Sequence, residues 1–324
     1  YEKNLKTLLK QNIKDKKIEF SSKLENFKSQ NYVICIGSEI KKNRINNYNL
    51  INIFKQIGKK LNKGDLVILR GTVQMELSRK ILVPILEKAS KLKCGQNFYF
   101  AFMPERIIEG DALFELKTLP QLVSGYSNQC KEQALNFAKF HFEKIIELSS
   151  LEEAEIIKLA SNSFRDLNFS FANEITRIAS KFNLSGNKLI KNSNLGYTRN
   201  KISLPSIGVG GYCLPKDPIL FSKFLDKSEG YILGLASRKI NSNNIKESLK
   251  RILKEKKIFK NILILGATFK GLPETIDTRN SPSIEISKLL KKISKKIEFY
   301  DVMQREIKLN NKKLKIKFVK NLNI

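Results

Sequence analysis

The sequence has no tryptophan, a single histidine and four cysteines in 324 residues. The cysteines form no C-x-x-C pair, so we expect neither a zinc site of ordinary ligand spacing, or any other metal site, nor a disulfide framework. No apolar run approaches the length that crosses a bilayer, and no charged-then-apolar leader opens the chain. These absences predict a cytoplasmic protein that does not associate with membranes.

Acidic residues are also scarce: 31 Asp and Glu face 60 Lys and Arg, and the net charge is +29. Such a charge raises the possibility of a nucleic-acid-binding protein. However, the lysines are spread along the whole chain among Asn and Ile, and no helix-turn-helix, RNP or zinc-finger signature accompanies them. We therefore expect weak attraction to polyanions at low salt, but no specific nucleic-acid partner.

The chain is too long for one ordinary core, so two or three domains are expected. Short apolar runs alternate with helical patterns in its first half, which favours an α/β fold with a parallel sheet covered by helices. In such sheets ligands bind at the carboxyl ends of the strands. The predicted strands are 32–36, 65–69, 97–102 and 121–124, and the predicted helices between them are 50–61, 74–91 and 128–142.

A long helix is predicted from Leu151 to about Phe182, since this stretch has no Gly or Pro and keeps helical apolar spacing. Apolar residues on more than one of its faces suggest a second packing partner, such as another subunit. Lys158 and Asn162 share one face of this helix. They form either an ordinary solvated polar face or a cation and an amide directed into a cleft.

One glycine-rich stretch, Gly208 to Pro218, places Cys213 on a turn, which is a typical position for a nucleophile. Glycines allow positive φ and a close approach to a ligand. Pro215 is expected to begin a helix just after Cys213, and Lys216 lies three residues on, so the local field favours a thiolate. The alternative is a tight turn around an inert thiol.

A second α/β pattern begins at Asn261, where a five-residue apolar strand ends in Gly266. It resembles the first strand of a nucleotide-binding fold, but no Gly-Lys-Ser/Thr follows, so it is not a P-loop. Ser281 is predicted to cap a helix that Pro282 begins. A further strand is predicted over 296–300.

Several motifs together resemble the UDP-glucose/GDP-mannose dehydrogenase family, the nucleotide-sugar 6-dehydrogenases, and most closely its UDP-N-acetylmannosamine dehydrogenases. They span almost the whole chain from about residue 31. The matching segments are Arg70-Gly-Thr72-Val, Met103-Pro-Glu105-Arg-Ile-Ile-Glu109-Gly110, Glu153-Ala-Glu155-Ile-Ile-Lys158-Leu-Ala-Ser-Asn162-Ser-Phe-Arg-Asp166, Phe171-Ala-Asn173-Glu174, Gly208 to Pro218, and Gly266-Ala-Thr-Phe-Lys270-Gly271 with Asp277-Thr-Arg279-Asn-Ser281-Pro282.

The resemblance implies two Rossmann-like, doubly wound domains joined by a helical middle whose long helix forms a homodimer. It divides the chain into an NAD-binding domain over 1–150, a central domain with the catalytic cysteine over 151–250, and a UDP-sugar-binding domain over 251–324. Two departures from the family stand out. The first strand with its Gly-x-Gly-x-x-Gly and the acidic residue for the adenosine ribose are missing, and the last domain stops early, so the sequence reads as truncated at both ends.

The family oxidises the C6 hydroxymethyl group of a sugar nucleotide to a carboxylate in two hydride transfers to NAD. The resemblance implies that Cys213 is the nucleophile of the second oxidation, that Lys158 and Asn162 stabilise the oxyanion and position the sugar oxygen, and that Glu105, Asp217 and Thr72 order or deprotonate water and the reacting hydroxyl. The implied substrate-binding residues are Lys158, Asn162, Arg199, Gly210 and Lys270, and the implied cofactor-binding residues are Gly37, Ser38, Thr72, Glu109 and Arg279.

For the substrate, the Pro104-Glu105-Arg106 segment resembles the UDP-N-acetylhexosamine branch, with UDP-N-acetylmannosamine first. Cys-Leu-Pro-Lys-Asp also occurs in UDP-glucose 6-dehydrogenases, which remain an alternative. Another alternative is a non-catalytic remnant that binds sugar nucleotide only.

Overall fold

The computed structural model describes residues 2, 4–24, 30–41, 44–224, 233–255, 258–291 and 293–303, and the backbone of three short strands within 308–318. The chain divides into two compact units, residues 2–161 and residues 162–324. Each unit has its own sheet, as expected for two α/β regions. A mixed α/β fold is therefore confirmed.

The first unit contains a five-stranded sheet of order β1-β4-β5-β6-β7, in which β1, β4 and β5 run parallel. β4 is buried along its whole length, as a strand covered on both faces should be. β1, β4, β5 and β6 lie within a few residues of the four predicted strands, whereas β2, β3 and β7 have no predicted counterpart. Their bounds are β1 Asn31–Ile34, β4 Leu66–Leu69, β5 Tyr99–Phe102, β6 Gln121–Gly125 and β7 Ile145–Glu147, and a separate hairpin joins β2 Glu39–Lys41 to β3 Arg44–Asn46.

The pairing of β5 with β6 corrects the expectation of an all-parallel sheet. These two strands are antiparallel, with Ala101 opposite Gly125 and Phe102 opposite Ser124. A parallel return requires a crossover that carries the chain back along the sheet, usually a full helix. Here much of the connection is irregular, and its helix, α4 (Ala112–Thr118), has only seven residues.

Helices flank this sheet, and the core between the helices and the sheet is rich in phenylalanine. Phe54, Phe98, Phe100 and Phe102 are all fully buried, and the rings of Phe54 and Phe100 are 6.2 Å apart. Each such ring contributes roughly 1.5–3 kcal/mol through burial. The helices are α1 Leu5–Lys14, with no buried residue, α2 Tyr48–Gly58, a π-helical turn Ser78–Leu82 that runs into α3 Val83–Ser90, and α5 Asn128–His141.

The long helix is confirmed as α6, Leu151–Lys181, which has 31 residues. Glu152 and Glu153 in its first turn and Lys181 in its last complement the helix dipole. Its buried residues include Leu159, Ala172 and Ala179, whereas Phe164, Phe171 and Ile178 are exposed. In the part of the chain that the structure describes, no helix is long and apolar enough to span a bilayer.

The second unit places further helices around a small parallel sheet of order β12-β9-β8. Its core packs Ile284 of α10 against Phe299 of β9, and Ala267, which follows β8 in sequence, belongs to the same buried cluster. The elements are α7 Gly186–Asn194, α8 Asp217–Ser222, α9 Leu233–Glu255, β8 Phe259–Leu265, α10 Pro282–Leu290, β9 Ser294–Tyr300, β10 Lys308–Leu309, β11 Lys312–Lys313 and β12 Lys317–Phe318.

Three local expectations need correction here. The helix after the cysteine begins at Asp217 with Pro218 in its first turn, not at Pro215. The continuous helix expected up to about Lys254 is described as α8 and α9, and residues 225–232 lie outside the described residues. Ser281 does precede the helix that Pro282 begins, but its hydroxyl donates to the Thr268 carbonyl at 3.4 Å and does not cap the helix.

Candidate functional site

Two loops of the first unit meet after β1 and β4, at the edge of the sheet where ligands bind in such folds. The Ser38 amide donates to the Thr72 carbonyl at 2.8 Å. A Cβ on Gly37 would lie 2.2 Å from that carbonyl oxygen, and a Cβ on Gly71 would lie 2.0 Å from the oxygen of Ile36. Glycine is therefore required at both positions so that the loops can touch.

The predicted cofactor-binding residues of this unit differ in how accessible their side chains are to a ligand. Ser38 is fully buried, and its hydroxyl accepts the Gln74 amide at 3.2 Å, so it braces the loops. Thr72 and Glu109 are partly exposed. A dinucleotide fits this edge, because closely packed backbone and a partly exposed hydroxyl and carboxylate follow the strand ends. The fifth predicted residue, Arg279, belongs to the second unit.

Lys158 and Glu105 are brought together in the first unit. Lys158 of α6 is only 8% exposed, and its ammonium group donates to the backbone carbonyl of Glu105. The structure therefore excludes a solvated polar face at Lys158. The Glu105 carboxylate accepts the Ile107 amide.

Glu105 has a perturbed acidity. Burial raises its pKa above the ordinary value, while the Ile107 amide and the charges of Lys158 and Arg70 act in the opposite direction. Burial likewise lowers the pKa of Arg70, whose guanidinium donates to the Gln121 side chain at 2.9 Å. A carboxylate with a raised pKa is a stronger base than an ordinary one, which suits it to accept a proton.

In the second unit, backbone hydrogen bonds fix both sides of the turn that carries Cys213, here called the cysteine turn (residues 208–218). Gly211 has φ of +83°, and its amide donates to the Arg279 carbonyl at 2.9 Å. Cys213 is exposed, and its carbonyl accepts the amides of Lys216 and Asp217 at 2.9 and 2.8 Å. The helix that follows therefore engages the backbone of Cys213, and the turn leaves the side chain accessible.

Asn162 and Asp217 are joined directly. The Asn162 amide donates to Asp217 Oδ2 at 2.6 Å, and Lys216 Nζ lies 2.6 Å from Asp217 Oδ1. The Asp217 side chain is fully buried and Lys216 is nearly so. The charge of Lys216, which the sequence suggested would act on Cys213, is thus paired with this carboxylate.

The ring of Tyr212, a residue that sequence reasoning missed, contacts two cations. The guanidinium of Arg279 is 4.9 Å from the ring centre and the ammonium of Lys216 is 5.3 Å from it. Arg279 is held in turn by Asp277, at 2.6 Å. The four-residue spacing of Tyr212 and Lys216 was the available signal, but no sequence pattern brings Arg279 to the same ring.

A buried polar network orients the approach to this turn. Asn173 accepts the Ser206 amide at 2.9 Å and donates to Asn241 at 3.0 Å, and Asn241 donates to Asp166 at 2.9 Å. Asp166 also pairs with Arg238 at 2.5 Å. This network fixes the loop around Ser206, which lies two residues before Gly208.

A cavity of about 550 Å³ opens beyond the carboxyl ends of β8 and β9. Its lining includes Ser206, Gly208, Phe269, Lys270 and Tyr300. Asp301, also in the lining, accepts the amides of Ala267 and Thr268 at 2.6 and 3.3 Å and so holds the loop after β8. The cavity combines apolar rings with charged side chains of both signs, Lys270 on one hand and Glu274 and Asp301 on the other, as expected for a small polar ligand.

The other two predicted substrate-binding residues of this unit, Gly210 and Arg199, do not line this cavity. A Cβ on Gly210 would lie 2.5 Å from the Asn280 carbonyl oxygen, so the close approach seen there is to protein backbone. Arg199 is exposed, with its guanidinium 5.6 Å from the Tyr197 ring centre. Among the described residues, no three His, Cys, Asp or Glu side chains converge as metal ligands.

Comparison with known proteins gives matches along nearly the whole chain. Three family models match in order: the NAD binding domain of the UDP-glucose/GDP-mannose dehydrogenase family over residues 1–141, its central domain over 152–244, and its UDP binding domain over 263–324.

Individual relatives agree with these matches. The chain is 33% identical over 80% of its length to a UDP-N-acetyl-D-mannosamine dehydrogenase of Campylobacter jejuni, and it covers 65% of that protein. It is 30% identical over 90% of its length to Protein CapL of Staphylococcus aureus, covering 70% of it. The solved structure of the UDP-D-ManNAc dehydrogenase of Pyrococcus horikoshii has a TM-score of 0.85 at 28% identity, with 93% of this chain and 72% of that chain covered. This chain, which spans about two thirds of the length of such relatives, belongs to the UDP-glucose/GDP-mannose dehydrogenase family of oxidoreductases with an NAD binding domain.

Proposed function

We propose that the chain oxidises the C6 hydroxymethyl group of a UDP-N-acetylhexosamine, UDP-N-acetylmannosamine first, to the uronate through a thioester on Cys213. The names of the C. jejuni and P. horikoshii relatives support this sugar. Two molecules of NAD, bound one after the other, would each accept one hydride. The domain division 1–150, 151–250 and 251–324 is part of the same proposal.

In the first oxidation, a base removes the hydroxyl proton as hydride leaves C6. Glu105 and Asp217, with Thr72, are the proposed proton acceptors and water-ordering groups. The raised pKa of Glu105 supports such a role, because a carboxylate of ordinary pKa is a weak base at neutral pH. Lys158 and Asn162, one helical turn apart on α6, are proposed to bind the oxygen as it gains negative charge.

In the second oxidation, the Cys213 thiolate adds to the aldehyde carbon and forms a thiohemiacetal. Loss of hydride from that carbon gives a thioester, and water then releases the carboxylate and restores the thiol. The exposure of Cys213 on a turn that is fixed at both ends favours this role.

The substrate is proposed to lie against the second unit with its pyrophosphate near Lys270 and Arg199 and its sugar near the backbone at Gly210. The cavity beyond β8 and β9 contributes Lys270 and two aromatic rings. Gly37, Ser38, Thr72, Glu109 and Arg279 are the proposed residues around NAD, with Ser38 acting through the loop that it braces.

The observation that most supports this proposal is the hydrogen bond between Asn162 and the buried Asp217. The amide of Asp217 in turn donates to the Cys213 carbonyl, so the pair lies beside the proposed nucleophile. Alternative functions are a UDP-glucose 6-dehydrogenase and a chain that binds sugar nucleotide without catalysis. A homodimer through α6 is also proposed, on the exposed apolar residues Phe164, Phe171 and Ile178.

The test supplies the purified chain with NAD and, separately, UDP-N-acetylmannosamine, UDP-N-acetylglucosamine and UDP-glucose, and measures NADH and uronate. We expect two NADH per uronate with the first sugar, and no uronate from Cys213→Ser. Cys35→Ser, which removes the other exposed thiol, is the matched control. Uronate formation at a normal rate by Cys213→Ser would exclude the thioester.

Calorimetric titration separates the alternatives. Binding of a UDP-sugar without binding of NAD favours the non-catalytic chain. A higher kcat/KM for UDP-glucose than for either N-acetylhexosamine favours the UDP-glucose 6-dehydrogenase.

A further inference from the structure

Two cysteines that the proposed reaction does not use face each other inside the first unit. Cys94 Sγ and Cys130 Sγ are 3.8 Å apart, although 36 positions separate them in the sequence. Cys130 is fully buried and Cys94 is 8% exposed, whereas Cys35 and Cys213 are exposed. The close pair is thus chemically separate from the two accessible thiols.

Several groups direct positive charge or a proton at the sulfur of Cys130. The residue lies in the first turn of α5, whose cap, Ser127, accepts the Cys130 amide. The Phe100 amide donates to Cys130 Sγ at 3.4 Å. The thiol of Cys94 lowers the pKa of Cys130, burial acts in the opposite direction, and Ser127 and the Phe100 amide add to the lowering, because hydrogen bonds to the sulfur stabilise the thiolate.

The sulfur of Cys94 is presented by a loop whose backbone is fixed. The Cys94 amide donates to Glu87 at 3.1 Å, and the Gly95 amide donates to the Phe98 carbonyl at 2.8 Å. Gly95 has φ of +82°, and a Cβ there would lie 2.9 Å from the Ser127 hydroxyl. The loop therefore packs directly against the start of α5, and rotation of the two side chains is the simplest way to bring the sulfurs closer.

We propose that Cys94 and Cys130 form a reversible oxidation site, at which hydrogen peroxide closes a disulfide between them. The Cys130 thiolate attacks one peroxide oxygen and the O–O bond breaks, which leaves a sulfenic acid and hydroxide. The Cys94 thiol then attacks the sulfenic sulfur, an S–S bond forms, and water leaves. In sum, two thiols lose two electrons and two protons, and one peroxide becomes two waters. A dithiol reductant reverses the step.

Closure has a predictable structural effect. The sulfurs must approach from 3.8 Å to the roughly 2.05 Å of a disulfide. The bond would tie the loop before β5 to α5 and draw Cys130 Sγ away from the Phe100 amide. Since β5 leads directly into the loop that contains Glu105, oxidation is expected to shift the backbone of that loop.

The experiment treats the Cys35→Ser/Cys213→Ser chain with hydrogen peroxide, alkylates free thiols after unfolding, and maps peptides by mass spectrometry. We expect a linked pair of peptides carrying residues 94 and 130, lighter by two hydrogens and separated by dithiothreitol. The cross-link should raise the thermal midpoint of the oxidised chain, because it shortens the loops available to the unfolded chain.

Cys94→Ser and Cys130→Ser in the same background are the controls, and each should lose both the link and the shift in midpoint. Full alkylation of residues 94 and 130 after peroxide treatment, or a sulfinic acid at either residue in place of the link, would overturn the proposal. The background lacks the proposed nucleophile, so the outcome does not depend on the proposed function.

Discussion

The side-chain amide of Asn162 donates a 2.6 Å hydrogen bond to the carboxylate of Asp217, which is fully buried. The pair joins the long helix α6 to the first residue of α8, four residues after Cys213. A buried carboxylate needs such donors, because an unpaired charge in the interior is costly. The bond therefore fixes where the cysteine turn ends.

Replacement of Asn162 by Ala tests this bond and the proposed oxyanion role together. We expect kcat to fall on the order of 10²–10³-fold, the usual cost of losing one oxyanion donor. Unfolding free energy should fall by about 1–3 kcal/mol, since Asp217 loses a donor. Ser161→Ala, at the exposed neighbouring position, is the control. A variant that is destabilised but keeps its kcat would reduce Asn162 to a structural role.

Tyr212 is predicted to position the cysteine turn through the cations on its ring. A cation–π contact contributes about 0.5–2 kcal/mol. Tyr212→Leu should therefore lower kcat by about tenfold, the effect of about 1.4 kcal/mol. Tyr212→Phe, which keeps the ring, should restore activity, and KM for the UDP-sugar should change little in either variant.

Alkylation of Cys213 by iodoacetamide gives a second measurement that needs no turnover. The rate should change in Tyr212→Leu and stay at the wild-type value in Tyr212→Phe and in Tyr48→Leu, an exposed tyrosine of the first unit. Equal activity and equal alkylation in all variants would show that the stacked cations have no influence on the turn.

Exposed apolar residues on α6 predict self-association. Phe164, Phe171 and Ile178 are 66%, 53% and 58% exposed and recur every seven residues, so they form one stripe. Burial of each would contribute roughly 1.5–3 kcal/mol. Phe171→Glu should halve the mass measured by sedimentation equilibrium, whereas Phe140→Glu, at an 86% exposed site on α5, should not. A wild-type chain that sediments as a monomer would contradict the prediction.

Local pattern was enough to find the long, strongly periodic elements, but not short ones such as α4 and β7, and α6 illustrates why. Continuous helical spacing without Gly or Pro predicted 151–182, and the helix covers Leu151–Lys181. The same pattern gave no decision on Lys158, because a buried amine and a solvated one look alike in sequence. Only the Glu105 carbonyl, more than fifty residues away, makes the difference.

Long-range pairings account for the failures. The antiparallel β5–β6 register depends on how the irregular connection returns to the sheet, which strand propensity does not encode. The helix start at Asp217 depends on the Cys213 carbonyl that accepts two amides of the turn. Arg279 matched a family position by motif, yet its contacts with Asp277 and Tyr212 followed only from the fold.

Glu155 predicts a specific pH dependence of stability. Burial raises its pKa from the ordinary 4.5 to about 7, while its carboxylate accepts the amides of Glu76 and Ser78 at 2.6 and 3.2 Å. Between these two values the folded chain binds a proton that the unfolded chain releases. The contribution of Glu155 is therefore fully present below about pH 4.5 and is lost as pH rises through about 7.

The measurement is urea unfolding of the wild type and Glu155→Gln at intervals from pH 4.5 to 8. The difference in unfolding free energy, wild type minus variant, should fall with rising pH by up to roughly 3 kcal/mol. Glu147→Gln, at an exposed glutamate on β7, should run parallel to the wild type. A difference that is flat or rises with pH would mean that the two amides keep Glu155 ionised in the folded chain, and that burial does not dominate its acidity.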